Sequence, residues 1–144
     1  MIAIAVRRVI LPALGILVVG LLGWYGYFSL DQNPSPQIQV TPSTYDFGLI
    51  PYSPVQKVFT VKNVGKRSLE IWSVSTSCGC TRAEVETERL EPEEETALRV
   101  RFDPNLMSER PTGEILRVVY IKSNDPKQPE VEVALTATLP DEGG

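Results

Sequence analysis

The stretch Leu98-Arg99-Val100-Arg101-Phe102-Asp103 alternates apolar and charged residues without a break. Successive side chains of an extended strand point to opposite faces, so this register buries Leu98, Val100 and Phe102 and leaves Arg99, Arg101 and Asp103 in water. The same period returns at residues 131–138, where Val131, Val133, Leu135 and Ala137 alternate with Glu132, Ala134, Thr136 and Thr138. Between the two, residues 114–122 are apolar on nearly both sides, with Ile115, Val119 and Ile121 on one and Leu116, Val118 and Tyr120 on the other. That pattern predicts a central strand covered on both faces, or one that meets a partner.

Working back towards the N-terminus, residues 38–41 and 45–47 read as two short strands broken at Pro42, and Gly48, Pro51 and Pro54 mark a long turn. Residues 55–63 form a strand that ends at the turn Asn63-Val64-Gly65-Lys66, and residues 69–75 extend again. Residues 82–90 mix charges with Val85 and Leu90, and Glu91-Pro92-Glu93-Glu94-Glu95 is a solvated turn that lacks the spacing of a calcium loop. Asp103-Pro104-Asn105 and Ser123-Asn124-Asp125-Pro126 are further turns. With about seven strands at turn-bounded spacing and no amphipathic helix, the economical architecture is an all-β sandwich over residues 38–139.

Residues 9–30 carry no charge over about 22 positions, roughly 33 Å of helix and enough to cross a bilayer core. Arg7 and Arg8 precede this run and Asp31 follows it, which places the N-terminus in the cytoplasm and the remainder outside the cell membrane. Trp24, Tyr25, Tyr27 and Phe28 fall at the outer interface, and their crowding leaves no Ala-x-Ala site for removal of a leader, so a retained single-pass anchor is expected. Gly20, Gly23 and Gly26 line one side of the helix and let a neighbouring helix approach. Residues 1–30 are then a cytoplasmic stub and anchor, residues 31–37 a proline-punctuated linker, and residues 140–144 a polar tail.

Two of the 14 basic residues, Arg7 and Arg8, precede the linker and all 18 acidic ones follow residue 30, so the outer part holds 12 basic against 18 acidic residues, a net charge of −6. Nucleic-acid binding needs clustered basic residues and is excluded as a function. The chain has no histidine, which removes the usual general base, the commonest zinc ligand and the ordinary haem ligand. No catalytic constellation stands out.

The unusual chemistry is concentrated in Ser77-Cys78-Gly79-Cys80-Thr81, which holds both cysteines. In a fully extended strand Cys78 and Cys80 share a face with Cα atoms about 6.6 Å apart, while a bend at Gly79 brings the sulfurs together. Three states are open: a disulfide, which closes a small ring and is readily reduced; a pair of thiolates holding a soft ion such as Cu(I); and plain packing of two small apolar side chains. Met107 is the nearest further soft donor in sequence, and Arg82 with the Ser77 and Thr81 hydroxyls are the groups that suggest themselves for stabilising a sulfur.

Asp46-Phe47-Gly48, Asn63-Val64-Gly65, Ser77-Cys78-Gly79-Cys80-Thr81, Phe102-Asp103 and Ser123-Asn124-Asp125-Pro126 resemble, in order and spacing, the bacterial family catalogued as domain of unknown function 1573. The resemblance implies an immunoglobulin-like sandwich akin to Hydin-type domains, exported and often anchored, and carries Cys78 and Cys80 over as signature positions without a reaction. One departure is Pro92-Glu93-Glu94, where the family tends to have Pro-Gly-Glu before the strand at Ala97, and it bears on the turn type.

The expected function is a non-enzymatic, membrane-anchored module in the periplasm or extracellular space that binds or steadies a larger membrane complex. Its partners would be the lipid bilayer and other subunits, and it needs no cofactor. A copper or thiol-redox protein acting through Cys78 and Cys80 is the alternative. An adhesin-like extracellular domain is a second.

Overall fold

Alternation in residues 95–102 becomes β7 (Glu95–Phe102), with Thr96, Leu98, Val100 and Phe102 buried and Arg99 and Arg101 exposed, as the sequence predicts. A computed structural model describes Gly20, Trp24 and residues 34–141. Nine strands are present among the described residues: β1 (Ile38–Thr41), β2 (Thr44–Leu49), β3 (Val55–Asn63), β4 (Leu69–Thr76), β5 (Thr81–Val85), β6 (Arg89–Leu90), β7, β8 (Gly113–Ser123) and β9 (Glu130–Leu139). They form a four-stranded sheet in the order β1-β3-β7-β5 and a five-stranded sheet in the order β2-β9-β8-β4-β6. The pairings are antiparallel except for β2 with β9, which is parallel.

The all-β sandwich is therefore present, with nine strands in place of the expected seven or so. The two additions are β5 and β6, which fall where charged residues blur the period of the sequence. In β5, Arg82 and Glu84 point to solvent while Thr81, Ala83 and Val85 face inward. Three small or weakly apolar residues give a faint alternation, and an edge strand that pairs only with β7 needs no stronger one. The break at Pro42 is also as expected: the cis Thr41-Pro42 bond separates β1, in one sheet, from β2, in the other.

Between the sheets, Phe59, Val61, Leu98 and Val100 pack against Leu69, Val119, Ile121, Val133 and Leu135 in one contiguous core. A second cluster at one end of the sandwich gathers Ile50, Cys80, Phe102, Ile115, Ala137 and Leu139, with Cys78 and Met107 at its margin. Each such large side chain contributes about 1.5–3 kcal/mol by leaving water, which makes the apolar faces the main stabilising term.

Two buried polar residues fix how the chain enters this core. Asn63 is fully buried, and its Nδ2 donates to the carbonyls of Arg67 and Leu90 while its Oδ1 accepts from the amides of Gly65 and Gln37. Asp125, 1% exposed, accepts from the Ile38 amide at 2.9 Å through one carboxylate oxygen and from the Lys127 and Gln128 amides through the other. Val64 and Lys66 donate to the carbonyls of Gln37 and Ser35, and a Cβ on Gly65 would overlap the backbone of Ser35, Pro36 and Gln37. A glycine is required at 65 by that close approach.

The turn at Pro92, where Glu93 departs from Pro-Gly-Glu, has a left-handed residue at its third position. Glu94 donates to the Glu91 carbonyl at 3.0 Å, Pro92 takes the second position, and Glu93 takes the third with φ of 68°, the arrangement of a type II turn. Glu93 thus occupies a left-handed conformation that glycine adopts without cost. Its carboxylate lies 3.0 Å from Lys62 Nζ, and the hydrogen bond and charge of Glu93 hold that ammonium above its ordinary pKa.

The outer side of β8 differs from one of the two expectations. Ile115, Val119 and Ile121 are buried, but Leu116 is 57% exposed and Val118 and Tyr120 are half-buried. The strand is central, between β9 and β4, yet among the described residues nothing covers its second face.

The expected membrane segment lies outside the described residues except for Gly20 and Trp24, both helical, the latter exposed. Gly23, Gly26, Tyr25, Tyr27 and Phe28 lie outside them altogether. Among the described residues no helix is long and apolar enough to cross a membrane.

Glu93→Gly is expected to raise stability by about 0.5–1 kcal/mol, the relief of a left-handed L-residue less an exposed ion pair. Urea unfolding of the two proteins checks it, and equal midpoints would show that the turn carries no such cost.

Candidate functional site

Strand β4 ends at Thr76 and β5 begins at Thr81, so Ser77-Cys78-Gly79-Cys80 is the connection between an inner strand of one sheet and an edge strand of the other. Its shape is set by hydrogen bonds. Ser77 donates its amide to the Val118 carbonyl at 2.9 Å and its hydroxyl accepts from the Val118 amide at 3.0 Å, which extends the β4–β8 ladder by one residue. Thr81 donates its amide to the Cys78 carbonyl, and Thr76 Oγ1 stands 3.0 Å from both the Cys78 and Thr81 carbonyl oxygens, donating to one at a time. The far end of the site is fixed by the Asp103 amide, which donates to the Cys80 carbonyl at 2.9 Å.

Cys78 and Cys80 are joined in a disulfide, with Cα atoms 5.3 Å apart. Of the three states open to the pair, this is the one present. Cys80 is 4% exposed and belongs to the end cluster of the core, whereas Cys78 is half-buried at its rim. The plain-packing state therefore describes part of what Cys80 does, although it does so as half of a bond.

The chain bends at Gly79 and brings the sulfurs together, as expected, but the bend does not demand glycine. The φ of Gly79 lies outside the left-handed region, and a Cβ placed on it would meet nothing within 4 Å. The bend uses a conformation open to other residues.

The groups around the sulfurs are also partly different from those expected. Thr81 Oγ1 is 3.7 Å from Cys78 Sγ and 3.9 Å from Cys80 Sγ, so its hydroxyl faces both. Ser77 is turned to β8 instead, and Arg82 points outward, where it lines a cleft of about 540 Å³ with Gln56, Arg99, Arg101, Asp103 and one side of Cys80. The cation that contacts the disulfide is Arg117, which donates from Nε to Cys80 Sγ at 3.3 Å. Sequence proximity to the cysteines does not disclose Arg117, which occupies an inward position of β8 between Ile115 and Val119. That position is the signal for it: an arginine at an apolar register position needs a partner inside the fold.

Met107 is brought to the same place, but through Arg117. One guanidinium nitrogen donates to Leu116 O at 2.6 Å and the other to Met107 Sδ at 3.7 Å, and the group lies over the Phe102 ring with its centre 6.0 Å from the centroid. A fixed cation between Cys80 and Met107 opposes a metal cation at that point. Among the described residues no group of three or more cysteine or carboxylate side chains is arranged to hold a metal ion.

A two-sheet all-β sandwich closed at one end by a Cys-Gly-Cys disulfide is thus the class of protein these residues define. The chain belongs to the family described as "Protein of unknown function (DUF1573)", which matches residues 38–139. Similar solved structures include a protein of unknown function from Porphyromonas gingivalis W83, 24% identical with a TM-score of 0.67 over 74% of this chain and 48% of that one. The PapD-like domain 7 of human CEP192 is 13% identical with a TM-score of 0.57 over 77% of this chain and 91% of that one. The secreted serine protease VesC from Vibrio cholerae is 13% identical with a TM-score of 0.52 over 78% of this chain and 24% of that one. At these identities the likeness shows the fold alone, and the chain spans about half the length of the Porphyromonas protein. The search of curated proteins found no match to this chain.

Gly79→Ala is expected to leave the disulfide intact and to change stability by no more than about 0.5 kcal/mol. Mass spectrometry after thiol blocking, with thermal unfolding, checks both; a free thiol in the variant would restore a specific need for glycine.

Proposed function

We propose that the chain is a membrane-anchored, extracytoplasmic, immunoglobulin-like module that acts as a non-catalytic accessory subunit of a larger membrane protein complex. The uncharged run at residues 9–30, with Arg7 and Arg8 before it, supports the anchor and its orientation. The disulfide supports the outer compartment, because such bonds persist where thiols are oxidised. A chain that leaves the first sheet after β1 and enters the second at β2 supports the immunoglobulin-like arrangement.

The observation that carries the reading is the uncovered outer face of the five-stranded sheet. Leu116, Val118 and Tyr120 follow one another on alternate positions of β8, a run of about 14 Å, and Ala134 of β9 lies directly across from Val118. Trp72, 65% exposed, stands at a bulge of β4 near the Lys122 end of the same face. Scattered exposed apolar residues are ordinary, but an apolar row on one strand, with Lys122 and then a tryptophan beyond its end, is the composition of a protein-binding surface. The occupant that fits is the outer surface of a membrane protein held within reach by the tether.

The full chain, isolated from its native membranes in mild detergent, is expected to carry companion subunits that a Leu116→Glu/Tyr120→Glu variant lacks, with the melting temperatures of the two differing little. Recovery of the wild-type chain as a lone monomer, or of the same companions with the variant, would sink the reading.

A further inference from the structure

We propose that the Cys78–Cys80 bond is a reversible thiol–disulfide site in which Arg117 holds the Cys80 sulfur as the leaving thiolate. The inference stands apart from the docking face, since it rests on the inner side of β8.

Arg117 is half-buried at the end of the core, and its polar contacts are one carbonyl, that of Leu116, and two sulfurs, those of Cys80 and Met107. No carboxylate pairs with it among the described residues. A disulfide sulfur and a thioether are weak acceptors, so in the oxidised protein the guanidinium is poorly compensated for its loss of water. Reduction changes that balance. A thiolate at Cys80 places a full negative charge 3.3 Å from Nε, in a setting where charge pairs interact far more strongly than in water. The Thr81 hydroxyl can turn its proton to the same sulfur. Across Cys80, the cleft presents Arg82, Arg99 and Arg101 as further cations, Arg99 being paired with Glu86, and Glu84 and Asp103 as its carboxylates, of which Asp103 already accepts from the amide and side chain of Asn105.

The two sulfurs differ in access, and the difference sets the order of events. Cys80 is buried and Cys78 is at the rim, beside an exposed Gly79, so a reductant reaches Cys78 first. The co-reactant is a dithiol. Its thiolate attacks Cys78 Sγ, a bond forms between those two sulfurs, the Cys78–Cys80 bond breaks, and the electron pair stays on Cys80 facing Arg117. The second thiol of the reductant then attacks its own sulfur in the mixed disulfide and releases Cys78. The reductant leaves as a disulfide, oxidised by two electrons, and the protein has gained them. Of the two protons the dithiol gives up, one ends on Cys78 and one in solvent, since Cys80 stays ionised. In this step Arg117 is a positioning and charge-stabilising residue, which touches the reacting sulfur without exchanging a bond.

The test uses the full chain in detergent, equilibrated in dithiothreitol redox buffers, with the Cys80 thiol followed by the 13Cβ shift of labelled cysteine as pH is varied. The reduced wild-type protein is expected to ionise Cys80 below the usual thiol value of about 8.5. Arg117→Met is expected to raise that value by at least about one unit and, in buffers at a pH above both values, to shift the equilibrium towards the disulfide by about tenfold, which is ~30 mV for a two-electron couple. Arg117→Lys should recover part of both. A wild-type Cys80 that titrates at or above about 8.5 overturns the proposal even if the Arg117 variants fail to fold. So does a folded Arg117→Met protein whose titration and redox equilibrium match the wild type, because an arginine that merely fills space over Phe102 would leave both unchanged.

Discussion

Six hydrogen bonds converge on Asn63, and the placement of the first strand depends on them. Its backbone amide and carbonyl bind the Glu94 carbonyl and the Glu93 amide across the turn at Pro92, and its side chain binds Arg67, Leu90, Gly65 and Gln37. A buried amide side chain that lost these partners would cost several kcal/mol, so the surrounding loops have one low-energy arrangement. Asp125 completes the frame from the other sheet by taking the Ile38 amide. The segment that follows the linker is therefore tied to both sheets by polar bonds at its first residues. In the proposed role, a pull on the tether would act on these bonds before it reached the apolar core.

The same economy governs the disulfide end. Strand β8 alternates faithfully, and its one charged inward residue is Arg117. The fold brings β8 beside β4 through the Ser77–Val118 exchange, and this sets the guanidinium against the sulfur that the β4–β5 connection presents. One strand thus serves two surfaces: its inward arginine meets the disulfide, and its outward Leu116, Val118 and Tyr120 form the open apolar row.

Much of this was legible in the sequence where one physical rule dominated. Alternation located β7 and β9, proline located the sheet switch at Pro42, and the segments Asn63-Val64-Gly65 and Ser123-Asn124-Asp125-Pro126 marked turns. What they did not disclose is why those residues are needed. The reason is long-range: Asn63 meets Gln37 and Leu90, and Asp125 meets Ile38 at a separation of 87 residues. β5 was lost because its inward residues are small and its outward ones charged, and β6 because two residues carry no period. At the candidate site the cysteines are evident, but sequence proximity points to Arg82, whereas pairing of β4 with β8 supplies the cation from residue 117. The bend at Gly79 is present, but its φ is one that other residues adopt.

The claim at the centre of this account is that buried polar bonds lock the first strand to both sheets, and amide hydrogen exchange of the wild-type protein measures it directly. The amides of Ile38 and Gly65, bound to Asp125 and Asn63, are expected to exchange only on global unfolding, as slowly as core amides such as that of Val100. If Ile38 and Gly65 instead exchange orders of magnitude faster than Val100, through local opening, the lock does not exist and the first strand is held by the apolar core alone.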